Sequence, residues 1–354
     1  MSPSVPRLGR PCPLGPPSGR PRVIAPSGSC ASAPCKPVLR AAPRARDVGI
    51  VCERKGARPV TPAHSPATDL FNVPLRVLIV ASETPSQRST RRRSAGTSSD
   101  ESYARTLRGL RDDLSVDSLS CVDGGDAELP DLSRYDGVFF AGSPIQMHED
   151  TPETRAAARF MAGVFQAGVP SFGSCAGLQI AAVAAGGATG PRTSGTEAAF
   201  ARNITMTDAG RTHPLLQGRP AVWSAPAMHS SVVTTLPPGA VLLARNADTP
   251  VEAVEIRHGA GLFWGVQYHP EITLAEIAAS LRRQAQDLVD EGLARDSAAI
   301  EDHAARLEAL NDDPHRRDLA WQLGLDAEVT DAARRTLELR NFLAMITERS
   351  TAMA

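Results

Sequence analysis

Long apolar runs are missing from this chain: no stretch approaches the roughly 18 consecutive apolar residues of a membrane-spanning helix. The reading is therefore a soluble protein with no membrane partner. Cysteine is sparse as well, with six among 354 residues, at positions 12, 30, 35, 52, 121 and 175. So few, so irregularly spaced, exclude a disulfide framework and a CxxC metal knuckle, so no metal is expected and the reducing cytoplasm is the default compartment. Net charge is lacking too, since 38 basic residues stand against 39 acidic ones. Whole-chain basicity thus gives no reason to expect a nucleic-acid partner. What is present is 42% hydrophobic residues, enough for one large or two ordinary domains with a buried core.

Proline and charge are unevenly placed. Residues 1–70 hold 14 of the 29 prolines and carry a net charge of +8, which leaves about −9 for the rest. Proline, glycine, serine and arginine without apolar periodicity cannot bury enough surface to offset the entropy of ordering, so residues 1–72 are expected to be a disordered leader. A simple tail, upstream sequence included by the choice of start, or an organelle-targeting peptide would each have this composition.

Beyond it, Leu75 to Ala81 (LRVLIVA) has the pattern of a strand buried on both faces. A polar, basic loop through Arg91, Arg92 and Arg93 is expected next. A helix start follows at Ser98, with Ser98 and Glu101 at capping-box spacing and Tyr103, Leu107 and Leu110 on one face. Val116 to Val122, Gly137 to Ala141 and Val169 to Phe172 read as strands, Thr154 to Gln166 and Leu178 to Ala185 as helices. This alternation predicts an α/β fold with a mostly parallel, doubly wound central sheet. From Ile204 to Val266 closely spaced strands predict an antiparallel region. Residues 273–354 read as a helical C-terminal extension, with Leu274, Ile277, Leu281 and Leu288 near helical spacing. These helices could cover the core, form a homodimer or dock an acceptor enzyme.

The strongest chemical signal is Gly173-Ser174-Cys175-Ala176-Gly177, between a short apolar strand and a helix. That is the context of a nucleophile elbow, where flanking glycines admit a sharp turn and the helix N-terminus favours a thiolate. Gly265-Val266-Gln267-Tyr268-His269-Pro270-Glu271 ends an apolar strand. A thiol nucleophile needs a base, and the base needs a group to orient it; His269 and Glu271 are of those types. Phe139-Phe140-Ala141-Gly142-Ser143-Pro144 offers a third element, because Gly142 and Ala176 could turn backbone N–H groups toward an oxyanion.

Together GSCAGLQ, FFAGSP and VQYHPE resemble the class I (triad) glutamine amidotransferases, most closely the glutaminase domain of GMP synthases. The likeness covers residues 73–272. It implies that Cys175 attacks the side-chain amide of L-glutamine, giving a γ-glutamyl thioester and ammonia, with His269 as base then acid and Glu271 orienting it. It implies an oxyanion hole from the Gly142 and Ala176 backbones, and substrate contacts from Gln179, His229 and Ser230. Two departures stand out: Ser231 replaces an acidic residue in the segment that grips the amino-acid end, and Ala141 replaces the first glycine of the oxyanion loop. No Ser-Gly-Gly-x-Asp-Ser or G-x-x-x-x-G-K-[ST] phosphate loop occurs, so no bound cofactor is expected and the ammonia would pass to a separate synthase or to no partner. A γ-glutamyl hydrolase acting on conjugates and a catalytically silent regulatory protein are the alternatives.

Overall fold

A computed structural model describes residues 74–123 and 129–353; the expected leader, residues 1–72, lies outside the described residues. Among the described residues, nine strands form one sheet. Five of them run parallel: β2 (Ser115–Ser120), β1 (Arg76–Ala81), β3 (Gly137–Phe140), β4 (Ser171–Ser174) and β11 (Gly261–Val266). The other four, β10 (Ala253–His258), β9 (Ala240–Arg245), β6 (Glu197–Met206) and β7 (Val222–His229), continue it antiparallel. A two-stranded ribbon pairs β5 (Ala188–Pro191) with β8 (Ser231–Thr235). The expected parallel core and antiparallel second half are both present.

Alternation along the parallel strands explains why the sheet is covered twice. Val77, Ile79, Phe139, Phe172 and Trp264 face one layer, where they meet Tyr103 and Leu107 of the helix Ser99–Leu110 and Phe342 and Ile346 of the final helix, Leu337–Met353. Leu78, Val80, Val138, Phe140 and Phe263 face the other, against Phe160 and Val164 of the helix Pro152–Ala167 and Leu178 and Ile180 of the helix Ala176–Ala184. Each such buried side chain contributes about 1.5–3 kcal/mol. A third cluster gathers Leu274, Ile277, Leu281 and Leu288 with Ile300, Leu307 and Leu310 over Phe200 of β6. The C-terminal helices thus divide their attachments, since only the last joins the main core.

One expectation is corrected. The basic loop through Arg91–Arg93 is a helix, Pro85–Ala95. Thr84 and Gln87 form a capping box, Pro85 sits in the first turn and Gly96 closes the end at φ 78°. None of its residues is buried, so it has no apolar stripe for a periodicity reading to detect. The helix at Ser98 does form, with the Glu101 carboxylate accepting the Ser98 backbone N–H at 2.9 Å. The fourth strand starts two residues later than expected, after Pro170, which has no N–H to give to a ladder.

Candidate active site

The carboxyl ends of β3, β4 and β11 meet at one edge of the parallel region, the place where open α/β sheets hold ligands. Cys175 leaves β4 at φ 52°, ψ −109° and caps the helix Ala176–Ala184. That conformation is strained for a residue with a Cβ, at about 1–3 kcal/mol. It is pinned by the Cys175 N–H, which donates to the Val266 carbonyl at 2.8 Å. The elbow glycines are steric necessities: a Cβ on Gly173 would lie 2.7 Å from the Gly177 carbonyl carbon, and one on Gly177 would lie 2.6 Å from the Phe140 oxygen.

His269 follows β11, its backbone N–H donating to the Pro226 carbonyl at 2.7 Å. Its Nδ1 stands 2.7 Å from Glu271 Oε1, which leaves Nε2 for a second partner; the Cys175 side chain is close enough to act on the charge of the ring. Burial opposes a charge on this imidazole, but the Glu271 carboxylate and Cys175 outweigh it and raise the His269 pKa to about 10. Gly142 fits against both groups, since a Cβ there would meet His269 Cε1 at 2.5 Å and Cys175 Cβ at 3.4 Å. Among the described residues, neither the Gly142 nor the Ala176 backbone N–H has a protein acceptor, and both residues line the same cavity as Cys175. Cys175, His269 and the two backbone donors therefore lie together on the wall of a cavity of about 440 Å³, with Glu271 behind the imidazole.

The remaining expected residues divide. Gln179 reaches the cavity wall, but its amide is engaged: Oε1 accepts from Ser231 Oγ at 2.8 Å and Nε2 donates to the Ser231 carbonyl at 2.9 Å. Ser231, the departure noted above, thus fixes Gln179. Ser230 is exposed on the cavity rim. His229 is turned inward, with Nδ1 3.1 Å from the Ser231 carbonyl and Nε2 2.9 Å from Glu197 Oε2.

That inward contact opens a buried polar cluster that sequence reasoning missed. Asn246 Nδ2 bridges Glu197 Oε1 at 3.2 Å and Glu252 Oε1 at 2.7 Å. Thr249 Oγ1 donates to Glu197 Oε2 at 3.1 Å. Burial pushes Glu197 up, but His229, Arg192 and Thr249 outweigh it and hold it below the usual carboxylate range. Glu252 is 0% exposed, and burial, with Glu197 adding in the same sense, drives its pKa well above that range. Its sole sequence signal is an acid inside the otherwise apolar stretch Val251-Glu252-Ala253-Val254.

Glu252 supplies a pH test. Its folded pKa exceeds the unfolded value of about 4.3, so folding takes up a proton at higher pH and this site's contribution to stability falls as pH rises. Glu252→Gln removes that slope. Its stability relative to wild type is expected to climb between pH 5 and 8 by up to about 1.4 kcal/mol per pH unit. Denaturant titrations at the two pH values measure it, and a constant difference would place an ionised carboxylate at 252.

Comparison with known proteins bears on this geometry. The family model "Glutamine amidotransferase class-I" matches residues 95–285. A gamma-glutamyl-L-1-hydroxyisopropylamide hydrolase from Pseudomonas sp is 34% identical over 221 residues, 62% of this chain and 75% of that protein. A glutamine-hydrolysing GMP synthase from Leifsonia xyli subsp. xyli is 33% identical over 146 residues, 40% of this chain but 27% of the synthase. The match to the synthase thus spans about a quarter of its length. A glutamine amidotransferase structure from Thermotoga maritima superposes at a TM-score of 0.54, with 15% identity over 78% of this chain and 100% of the other, a likeness of fold. No described helix is long and apolar enough to cross a membrane.

Proposed function

The chain belongs to the class I glutamine amidotransferase family, and from that premise we propose that it hydrolyses a γ-glutamyl amide through a thioester on Cys175. The observation that carries the reading is the grouping of Cys175 with the His269–Glu271 pair against Gly142, beside two backbone donors at the cavity wall. Cys175 gives its thiol proton to His269 as Sγ attacks the amide carbon, the carbonyl π electrons move onto oxygen, and the oxyanion that forms takes hydrogen bonds from the Gly142 and Ala176 N–H groups. The C–N bond breaks as His269 gives its proton to the departing nitrogen, leaving a γ-glutamyl thioester and a free amine. Water then adds to the thioester carbon while His269 takes its proton; the C–S bond breaks and glutamate leaves. Glu271 holds the imidazole tautomer and offsets its positive charge.

Two features support a conjugated amine over ammonia as the leaving group. The relative aligned over three quarters of its length is a hydrolase of a γ-glutamyl amide of an amine. A cavity of about 440 Å³ also falls in the size range that encloses whole small-molecule ligands. The synthase relatives support a second reading, glutamine as substrate with ammonia handed to a separate synthase. Glutamate release from L-glutamine and from γ-glutamylethylamide, each with the full chain, decides between them. The conjugate is expected to give a kcat/KM at least about tenfold higher, roughly 1.4 kcal/mol of discrimination. Preference for glutamine would establish the second reading, and no release from either would sink both.

A further inference from the structure

Arginine carries nearly all the positive charge of the folded body, which contains no lysine after Lys55. Most of these guanidinium groups are satisfied. Arg92 forks onto Glu101 at 2.7–3.2 Å, and Arg282 onto Glu301 at 2.8 Å. Their immediate neighbours behave differently. Arg91, on the helix Pro85–Ala95, and Arg283, at the end of the helix Leu274–Arg283, both line the cavity that holds Cys175.

Among the described residues, neither is hydrogen-bonded to a carboxylate. Arg91 reaches Glu276 Oε1 at 3.8 Å, and that carboxylate already accepts from Ser102 Oγ and from the Thr273 N–H. The Arg91 Nε is out of water and has no acceptor, an unfavourable state for a guanidinium donor. Among the described residues, Arg283 donates only to hydroxyls, Ser94 Oγ at 3.1 Å and Ser280 Oγ at 2.9 Å. Burial, and after it the nearby Arg91, disfavour the charge on Arg283, with Glu83 acting in the opposite sense. Two acids also line the cavity, but Glu83 is buried with its carboxylate on the Ser99 N–H at 3.0 Å, and Asp287 is exposed at the rim.

We infer that Arg91 and Arg283 form a carboxylate-binding subsite in the wall of this cavity, facing the substrate. The inference rests on the proposed γ-glutamyl amide reading and adds the anionic group that the substrate presents here. Planar guanidinium forks match carboxylate oxygens, and an incoming carboxylate would satisfy the orphaned Nε and screen the repulsion between the two cations. Arg91 precedes the family match at 95–285, so this wall is supplied partly by a residue outside the matched segment. The carboxylate is either the α-carboxylate of the γ-glutamyl half or one on the amine half.

γ-Glutamylglycine and γ-glutamylethylamide separate these sources, because only the former carries a carboxylate on its amine. In Arg91→Gln and Arg283→Gln, KM is expected to rise at least tenfold with kcat within about threefold of wild type. A rise for both substrates assigns the subsite to the glutamyl half, and a rise for γ-glutamylglycine alone assigns it to the amine half. Arg92→Gln, whose partner is Glu101, controls for general disturbance and should leave KM unchanged. Unchanged KM for both substrates in both variants overturns the subsite. If wild type hydrolyses neither substrate, the functional reading fails on its own, and calorimetry with glutarate still tests the pair. Glutarate should then bind wild type at least tenfold more tightly than Arg283→Gln, and equal or absent binding overturns the inference.

Discussion

Cys175→Ala is expected to lower kcat/KM for the γ-glutamyl amide by at least ~10⁴-fold, because it removes the atom to which the glutamyl group would be transferred. Members of a nucleophile–base unit act together, so a second change at His269 should subtract almost nothing further. In a Cys175→Ala background, His269→Ala is expected to change kcat/KM by less than about threefold, although alone it should cost nearly as much as losing the thiol. Glu271→Gln should cost less, on the order of 10²–10⁴, since its carboxylate acts through the imidazole 2.7 Å away. Folding separates this loss from collapse. Alanine keeps the positive φ of 52° and hence the strain, whereas Cys175→Gly relieves it and is expected to be about 1 kcal/mol more stable than Cys175→Ala. Steady-state assays with denaturant titrations of the same variants check both halves. Activity within tenfold of wild type in Cys175→Ala would remove the thiol from the reaction.

These residues were legible because the chemistry imposes local patterns. Gly173 and Gly177 are forced by contacts with Gly177 and Phe140 backbone atoms, and His269 and Glu271 are close in sequence, so a short turn brings them together. LRVLIVA was legible because both faces of β1 are covered, leaving a nearly unbroken apolar run. What was illegible falls into two kinds. The helix Pro85–Ala95 buries none of its residues, so only its caps mark it. The Glu197–His229–Glu252 cluster joins side chains from β6, from β7 and from the bend just before β10, and nothing in the sequence around Glu197 states which segments will be neighbours. The C-terminal helices fall between these kinds. Their periodicity announces helices, but the same spacing sends Leu274, Ile277 and Leu281 into a satellite cluster and Leu339, Phe342 and Leu343 into the main core.

The final helix is fastened by charge as well as by packing, and its release is expected to be the largest stability effect in the molecule. Arg219 is 1% exposed in its side chain and Glu338 0%. The guanidinium forks onto Glu338, Nε to Oε1 at 2.7 Å and Nη2 to Oε2 at 2.8 Å, while Nη1 donates to Glu328 Oε2 at 2.8 Å. Tyr268 Oη donates to the same Glu338 Oε1 at 2.8 Å, which ties the residue before His269 to this helix. Burial works against the Arg219 charge, yet Glu338 and Glu328 outweigh it and hold it protonated. Removing one member of such a buried network strands the others, at about 3–5 kcal/mol. Glu338→Ala therefore should lower the thermal midpoint by roughly 6–20 °C, taking about 2–4 °C per kcal/mol for a domain of this size. Adding Arg219→Met to that variant removes the stranded cation, so the double change is expected to cost about 0.5–3 kcal/mol less than the two single losses combined. Strict additivity, or a Glu338→Ala midpoint within 2 °C of wild type, would mean that water reaches Arg219 and that packing of Phe342 against Phe139 at 5.2 Å and Phe172 at 5.6 Å holds the helix without help from the charges.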